Sequence, residues 1–265
     1  MKVLFAGRKP VSARCIEFLH QSGVEIVGVL TDNHLAVSPT ADAAAKLGVP
    51  VLTHQGARDA LASGALKADL CVSMLYWRKL TSPFIQQPHL GAINFHPAPL
   101  PEYKGCGGYN LAILEARRDW GVTAHYMDEA IDTGPIIEVD TFAIDPDRET
   151  AKSLEHVCQE RLFSQFVRVV QAARESSARL PSTSNVGGRY ISRAEMERMK
   201  EVTAEDDVHR KIRAFWFPPY GGAYAIVNGV KCTLVDETIL AELADPTSSS
   251  LFTAGRTSGK HGQNP

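Results

Sequence analysis

No two cysteines in this chain form a C-x-x-C pair. The five present, Cys15, Cys71, Cys106, Cys158 and Cys232, are scattered and odd in number. That pattern argues against a zinc site or a disulfide frame and for reduced thiols in a cytoplasmic setting. No two histidines have H-x-x-x-H spacing, so no metal is expected. Long apolar runs are missing as well. Nothing approaches the ~20 residues of a membrane helix, and the opening MKVLFAG is too short for the apolar region of a signal peptide. There is no basic surplus: 28 Lys and Arg stand against 30 Asp and Glu, a net charge of −2. A large nucleic acid is therefore disfavoured as a partner, whereas a nucleotide-sized anion needs only a cation or two and some backbone amides. G-x-S-x-G is absent, and Cys106 has no evident base beside it, so no activated nucleophile is apparent. The segment FAGRKPVS lacks the full G-x-G-x-x-G, which leaves dinucleotide binding weakly supported.

What the chain does have is a strand–helix alternation. KVLFAG, EIVGVLT and VPVLT read as strands, with helices over Val11 to Gln21 and PTADAAAKLGV between them. DLCVSML and GAINFHP are apolar throughout, as strands covered on both faces are. The rhythm predicts an α/β fold with a doubly wound, mostly parallel sheet, which GVTAHYMD and GPIIEVDTFAI extend. Glu149 to Glu175 reads as a long amphipathic helix. These elements predict a catalytic domain over residues 1–178. SSARLPSTSNVGGRY shifts to linker composition, placed at 179–190. A small α+β appendage follows over 191–243, with a capped helix at Ser192 and Glu195. Its helix AEDDVHRKIRAF precedes a hairpin at Asn228-Gly229. Residues 244–265 are small and polar and read as a disordered tail.

The chemistry gathers at GAINFHPAPLPEYKGCGG. Asn94 and His96 stand two apart on a strand and so share a face. Pro97, Pro99 and Pro101 then stop the ladder, and glycines permit close approach. Downstream, Asp132-Thr133-Gly134-Pro135 reads as a turn that can fold a carboxylate back to a strand end. Histidine supplies a proton acceptor with an ordinary pKa of ~6.5. An aspartate can fix its tautomer and stabilise the imidazolium, and an asparagine can donate to an oxyanion. This set fits acyl transfer to an amine without a covalent intermediate. Asp128 and Glu129 are rival carboxylates that spacing leaves open, and His125 reads as packed. Lys9, beside Arg8, could meet a phosphate or be a solvated loop residue. Tyr76 and Trp77 could line a flat-ring pocket or pack the core.

Taken together, N-F-H-P-A-P-L-P-E-Y-K-G followed by D-T-G-P-I resembles the formyltransferase family that uses 10-formyltetrahydrofolate. The likeness spans roughly residues 1 to 175. It implies a seven-stranded Rossmann-like sheet, with Asn94, His96 and Asp132 as the catalytic groups and 10-formyltetrahydrofolate as co-substrate. It further implies amine attack through a tetrahedral intermediate. His96 would be base or proton shuttle, Asp132 its support and Asn94 the oxyanion donor. The folate would lie against Leu75, Tyr76 and Trp77, with AHYMDEAID, Asp128 included, as the other wall. Within the family, the tail RKIRAFWFPPYGGAYAIVNGVKCTLVD is similar to that of nucleotide-sugar N-formyltransferases. Those enzymes act on a nucleoside-diphosphate amino-dideoxy-sugar for bacterial surface polysaccharide such as O-antigen. On that reading Lys9, Tyr103 and Lys104 meet the diphosphate or sugar, and the hairpin is a candidate homodimer surface. A methionyl-tRNA formyltransferase and a non-catalytic binding relative are the alternatives.

Overall fold

The computed structural model describes residues 1–32 and 37–243; the tail read as disordered lies outside them. The first half alternates β1 (Lys2–Gly7), α1 (Lys9–Gln21), β2 (Glu25–Leu30), α2 (Pro39–Lys46), α3 (His54–Ala62), β3 (Leu70–Met74) and β4 (Ala92–His96). β5 (Tyr103–Gly105), α4 (Gly108–Leu114), β6 (Asp119–Tyr126), β7 (Ile136–Ala143) and the long α5 (Ala151–Ser176) follow. The chain then makes β8 (Arg189–Ile191), α6 (Arg193–Arg198), α7 (Val208–Phe215), the hairpin β9 (Tyr224–Val227) and β10 (Val230–Thr233), and α8 (Glu237–Leu243).

The main sheet runs β2-β1-β3-β4-β6-β7. The first three pairings are parallel, and those of β4 with β6 and β6 with β7 antiparallel. Among the described residues it has six strands, not the seven implied by resemblance. VPVLT contributes only a single parallel bridge, Val51 to Val29. Pro50 has no N–H to extend that ladder, and Thr53 already caps α3 by accepting from the Gly56 N–H. β3 is buried along its whole length, as a strand covered on both faces should be.

α5 lies across one face of the sheet. Thr150 and Ser153 form its capping box, and Phe166 packs edge-on against Phe5, Phe18 and Phe95 at centroid distances of 6.2, 6.1 and 5.4 Å. The core thereby fixes β4 at Phe95, between Asn94 and His96. The hairpin turns at Asn228 and Gly229, both with positive φ (50° and 78°), the conformation a two-residue connection demands.

The proline-rich loop after β4 is held by β6. Trp120 Nε1 donates to the Pro97 carbonyl, Thr123 Oγ1 donates to that of Ala98, and the Leu100 N–H donates to Thr123 Oγ1. Segments without a regular ladder still need partners for their backbone groups, and here β6 side chains supply them. The stretch of linker composition also makes specific contacts. Thr183 bridges to Ile136, and β8 pairs in parallel with β5, Tyr103 opposite Arg189.

Candidate active site

β4 presents Asn94 and His96 from one face, and the turn before β7 swings Asp132 to meet them. Asp132 adopts φ 55°, a sparsely populated conformation for a residue with a side chain. Gly134 permits the turn, because a Cβ there would lie 1.9 Å from the Tyr126 carbonyl oxygen. The Gly105 N–H in β5 donates to Asp132 Oδ2 at 2.9 Å. Asn185 clamps the turn from outside, its Nδ2 donating to the carbonyls of Asp132 (3.0 Å) and Gly134 (2.9 Å).

The imidazole of His96 is buried. Its Nε2 lies 2.8 Å from the Tyr103 carbonyl oxygen. A carbonyl only accepts, so Nε2 carries the proton, and Nδ1 is left as the nitrogen able to take another. Nδ1 sits 3.5 Å from Asp132 Oδ2. A proton gained there faces a carboxylate, which stabilises the resulting cation. The tautomer is thus set by a backbone carbonyl of β5, while the aspartate supplies the charge.

A fourth group completes the set. His125 on β6 stands opposite Asn94 in the antiparallel register. Its Nδ1 donates to the Tyr126 carbonyl at 2.8 Å, leaving Nε2 to accept from Asn94 Nδ2 at 3.1 Å. Asn94 Nδ2 also reaches Asp132 Oδ1 at 3.4 Å. That longer contact is the weaker one, and its hydrogen is the more readily offered to a charge developing nearby. Burial pushes the Asp132 carboxyl up, but His96, His125 and the Gly105 N–H together outweigh it and hold the group well below the usual carboxylate range. Asp132 is a fixed anion.

These groups line a cavity of about 500 Å³, together with Leu75, Tyr76, Trp77, Asp128 and Lys9. Leu75 has φ 53°, which turns the chain sharply out of β3. Asp128 accepts from Thr133 Oγ1 and the Ala130 N–H and so closes the turn that carries Asp132. Lys9 is paired with Glu155 at 3.2 Å and lies over the Phe217 ring. Tyr103 and Lys104 are placed differently from their expected role at a diphosphate or sugar, since neither lines this cavity. The Tyr103 ring packs on Trp120 at 4.7 Å and its hydroxyl donates to Glu115, while Lys104 Nζ donates to the Gly187 carbonyl. Both are buried, and what Tyr103 brings to the site is its carbonyl.

Residues 1–170 match the family model described as Formyl transferase. The chain belongs to the formyl transferase family. Among curated proteins, this formyl transferase is 28% identical over 239 residues to the methionyl-tRNA formyltransferase of Brucella melitensis, covering 84% of this chain and 77% of that protein. The enzyme of the same name from Nitrosospira multiformis is 28% identical over 244 residues, covering 87% and 77%. Solved structures of similar fold include a 4-N formyltransferase from Francisella tularensis, with a TM-score of 0.73, 19% identity, and 89% of this chain and 97% of that one covered. Another is an N-formyltransferase from Helicobacter canadensis in complex with folinic acid and dTDP-3-aminofucose, with a TM-score of 0.69, 22% identity, and 87% and 86% covered. The expected α/β formyltransferase fold and a formyl-transferring activity are therefore established. Among the described residues no cluster of metal-ligating side chains occurs, and no helix is long and apolar enough to cross a membrane.

The sequence reads His125 as a packed residue, which it also is, without showing its contact to Asn94, and it does not single out Asn185. For His125 the available signal was its position in a strand, but only the pairing of β4 with β6 brings it to Asn94. Asn185 gave no local signal. Replacing it with alanine should unclamp the Asp132 turn and lower kcat on the order of 10- to 100-fold, the scale of a misplaced catalytic group. Steady-state kinetics would show this, with unchanged kcat meaning that the turn holds its shape unaided.

Proposed function

We propose that this formyl transferase moves the formyl group of 10-formyltetrahydrofolate onto the amino group of a nucleoside-diphosphate-linked amino-dideoxy-sugar, in the assembly of a bacterial surface polysaccharide. The observation that carries the reading is the convergence of Asn94, His96 and Asp132 at a cavity of about 500 Å³, the size of small-molecule sites. The cavity also suits the folate. It has an aromatic and apolar wall from Leu75, Tyr76 and Trp77 beside the reactive groups. When bound, the folate supplies an activated one-carbon unit. The chain does the rest: His96 Nδ1 takes the proton released by the attacking amine and returns it to the folate nitrogen that departs as its bond to the formyl carbon breaks, the Asp132 carboxylate stabilises the intervening imidazolium, and Asn94 donates toward the oxygen on which charge develops.

The sugar-nucleotide acceptor is supported by the chain's net charge of −2 and by its likeness to structures such as the Helicobacter enzyme with its dTDP-sugar ligand. A second reading, formylation of methionyl-tRNA, is favoured by the curated relatives at 28% identity. One experiment separates them: the protein is incubated with 10-formyltetrahydrofolate and either a panel of dTDP-, UDP- and GDP-linked amino sugars or methionyl-tRNA. Formylation of at least one amino sugar, with none of the tRNA, is the expected result. The reverse pattern would replace the first reading with the second, and no turnover of either would leave a binding protein.

A further inference from the structure

His96 stands between two acceptors of unequal strength. Its Nε2 faces the neutral carbonyl of Tyr103 at 2.8 Å, and its Nδ1 faces the anionic Asp132 Oδ2 at 3.5 Å. A neutral imidazole has one N–H to give. At equal distances the carboxylate would take it, because a hydrogen bond to an ion is roughly twice as strong as one between neutral groups. The ring would then carry its hydrogen on Nδ1 and could accept no other there. Distance reverses that preference, since 2.8 Å is a full hydrogen bond and 3.5 Å the edge of one. Both separations depend on β5. Tyr103 brings its carbonyl close, and the Gly105 N–H holds Asp132 Oδ2 at 2.9 Å.

β5 is a slight element for that task. It has three residues and pairs only with β8, in a two-stranded sheet, and such a ladder is marginal by itself. Side chains secure it. Glu115, the residue that ends α4, uses both carboxylate oxygens here: Oε2 accepts from the Tyr103 hydroxyl, and Oε1 accepts from Arg189 Nη2. Arg189 stands opposite Tyr103 in the β5–β8 register and lays its guanidinium 5.5 Å from the Tyr103 ring centre, within cation–π range. Carboxylate, guanidinium and phenol thus contact one another in a closed set of three. Neither Glu115 nor Arg189 lines the catalytic cavity.

We propose that Glu115 and Arg189 are positioning residues that hold the Tyr103 carbonyl against His96 and so keep the imidazole in the tautomer whose Nδ1 is free. The bias needed is modest. About 10-fold between tautomers corresponds to ~1.4 kcal/mol, the scale of one hydrogen bond to a charged group. The assignment rests on the reading of His96 as proton acceptor and adds what keeps it competent.

The test labels histidine with nitrogen-15 in the full chain and reads the His96 ring nitrogens by two-bond proton–nitrogen correlation. Spectra are taken at mildly alkaline pH, where an ordinary imidazole is neutral, and the His96→Asn protein assigns the signals. We expect the Nε2–H tautomer in the unaltered protein. Glu115→Ala, which removes both contacts, and Tyr103→Phe, which removes only the hydroxyl, should each move a visible share of His96 to Nδ1–H. In both, kcat for formyl transfer should fall by about 10-fold or more, with KM for donor and acceptor unchanged. Arg189→Ala should act the same way, and Arg189→Lys, which keeps a cation beside Glu115, should recover most of the loss. Circular dichroism checks folding, and Tyr103→Phe, which keeps the buried ring, carries the test if Glu115→Ala does not fold. A fully retained Nε2–H tautomer in these variants would overturn the proposal even with a slower enzyme, because the pair would then be ordinary support for the fold. The two readings fail separately. The tautomer is read without any acceptor, so a shift to Nδ1–H with kcat untouched would keep the clamp and remove His96 as proton acceptor.

Discussion

His96→Asn should lower kcat for formyl transfer by roughly 10²- to 10⁴-fold, the contribution of a positioned general base, with affinity for the formyl donor retained. The substitution is chosen for its shape. An asparagine amide can occupy the position of Nδ1 beside Asp132 Oδ2, now 3.5 Å away, but it cannot take up a proton at neutral pH. It also releases the Tyr103 carbonyl, which at present accepts from Nε2 at 2.8 Å. If that carbonyl does nothing beyond fixing the tautomer, its release adds little once the imidazole is gone. Rapid-quench single-turnover rates would isolate the chemical step from product release. A variant with near-normal single-turnover rates would mean that the amine loses its proton to water or to another group, and His96 would leave the mechanism.

Asp132→Asn is expected to cost about 10²- to 10³-fold in kcat, the range for removing one preorganised electrostatic group, despite near-identical shape. The reason lies in the donors around it. Oδ2 accepts from the Gly105 N–H at 2.9 Å, so the variant's amide oxygen is drawn to that side. Its NH₂ then stands where Oδ1 was, facing Asn94 Nδ2 at 3.4 Å and His125 Nε2 at 3.5 Å. Two amide donors meet head-on, and the new one competes for the His125 nitrogen that orients Asn94. A neutral residue also fails to stabilise a protonated His96.

The same variant carries a stability signature with a definite sign. His96, His125 and the Gly105 N–H outweigh the opposing effect of burial and hold the Asp132 carboxyl below its ordinary value. A group with a depressed folded-state pKa stabilises the protein fully above its unfolded pKa of ~3.9 and loses that contribution as pH falls toward the folded value. The melting temperature of Asp132→Asn should therefore lie below that of the unaltered protein at pH 5, and the gap should close in more acidic buffer. A gap that stays constant down to acid unfolding would mean that Asp132 contributes by packing and not by charge.

How much of this was legible in the residues follows from the range over which each feature is encoded. Asn94 and His96 could be paired from spacing alone, because a strand alternates its faces every residue. The loop after them was marked by Pro97, Pro99 and Pro101, and the hairpin by Asn228-Gly229. Those signals are local. The rival carboxylates Asp128 and Glu129 could not be separated from Asp132 by spacing. The left-handed turn and Gly134 bring Asp132 to His96 and Asn94, while Asp128 ties the turn together. His125 and Asn185 depend on pairings between distant segments, β4 with β6 and the 180s with the turn before β7, which no window of sequence contains. Tyr103 illustrates a further limit. The resemblance implied a substrate contact for it, while what reaches His96 is its carbonyl, an atom every residue has.

The parallel pairing of β5 with β8 has a corollary for substitutions far from the cavity. Two backbone groups that bond the proposed catalytic side chains, the Tyr103 carbonyl at His96 and the Gly105 amide at Asp132, sit on a three-residue ribbon whose neighbour lies beyond the residues 1–170 that the family model matches. A change in β8 can therefore reach His96 and Asp132 through the ribbon without altering any residue of the main sheet.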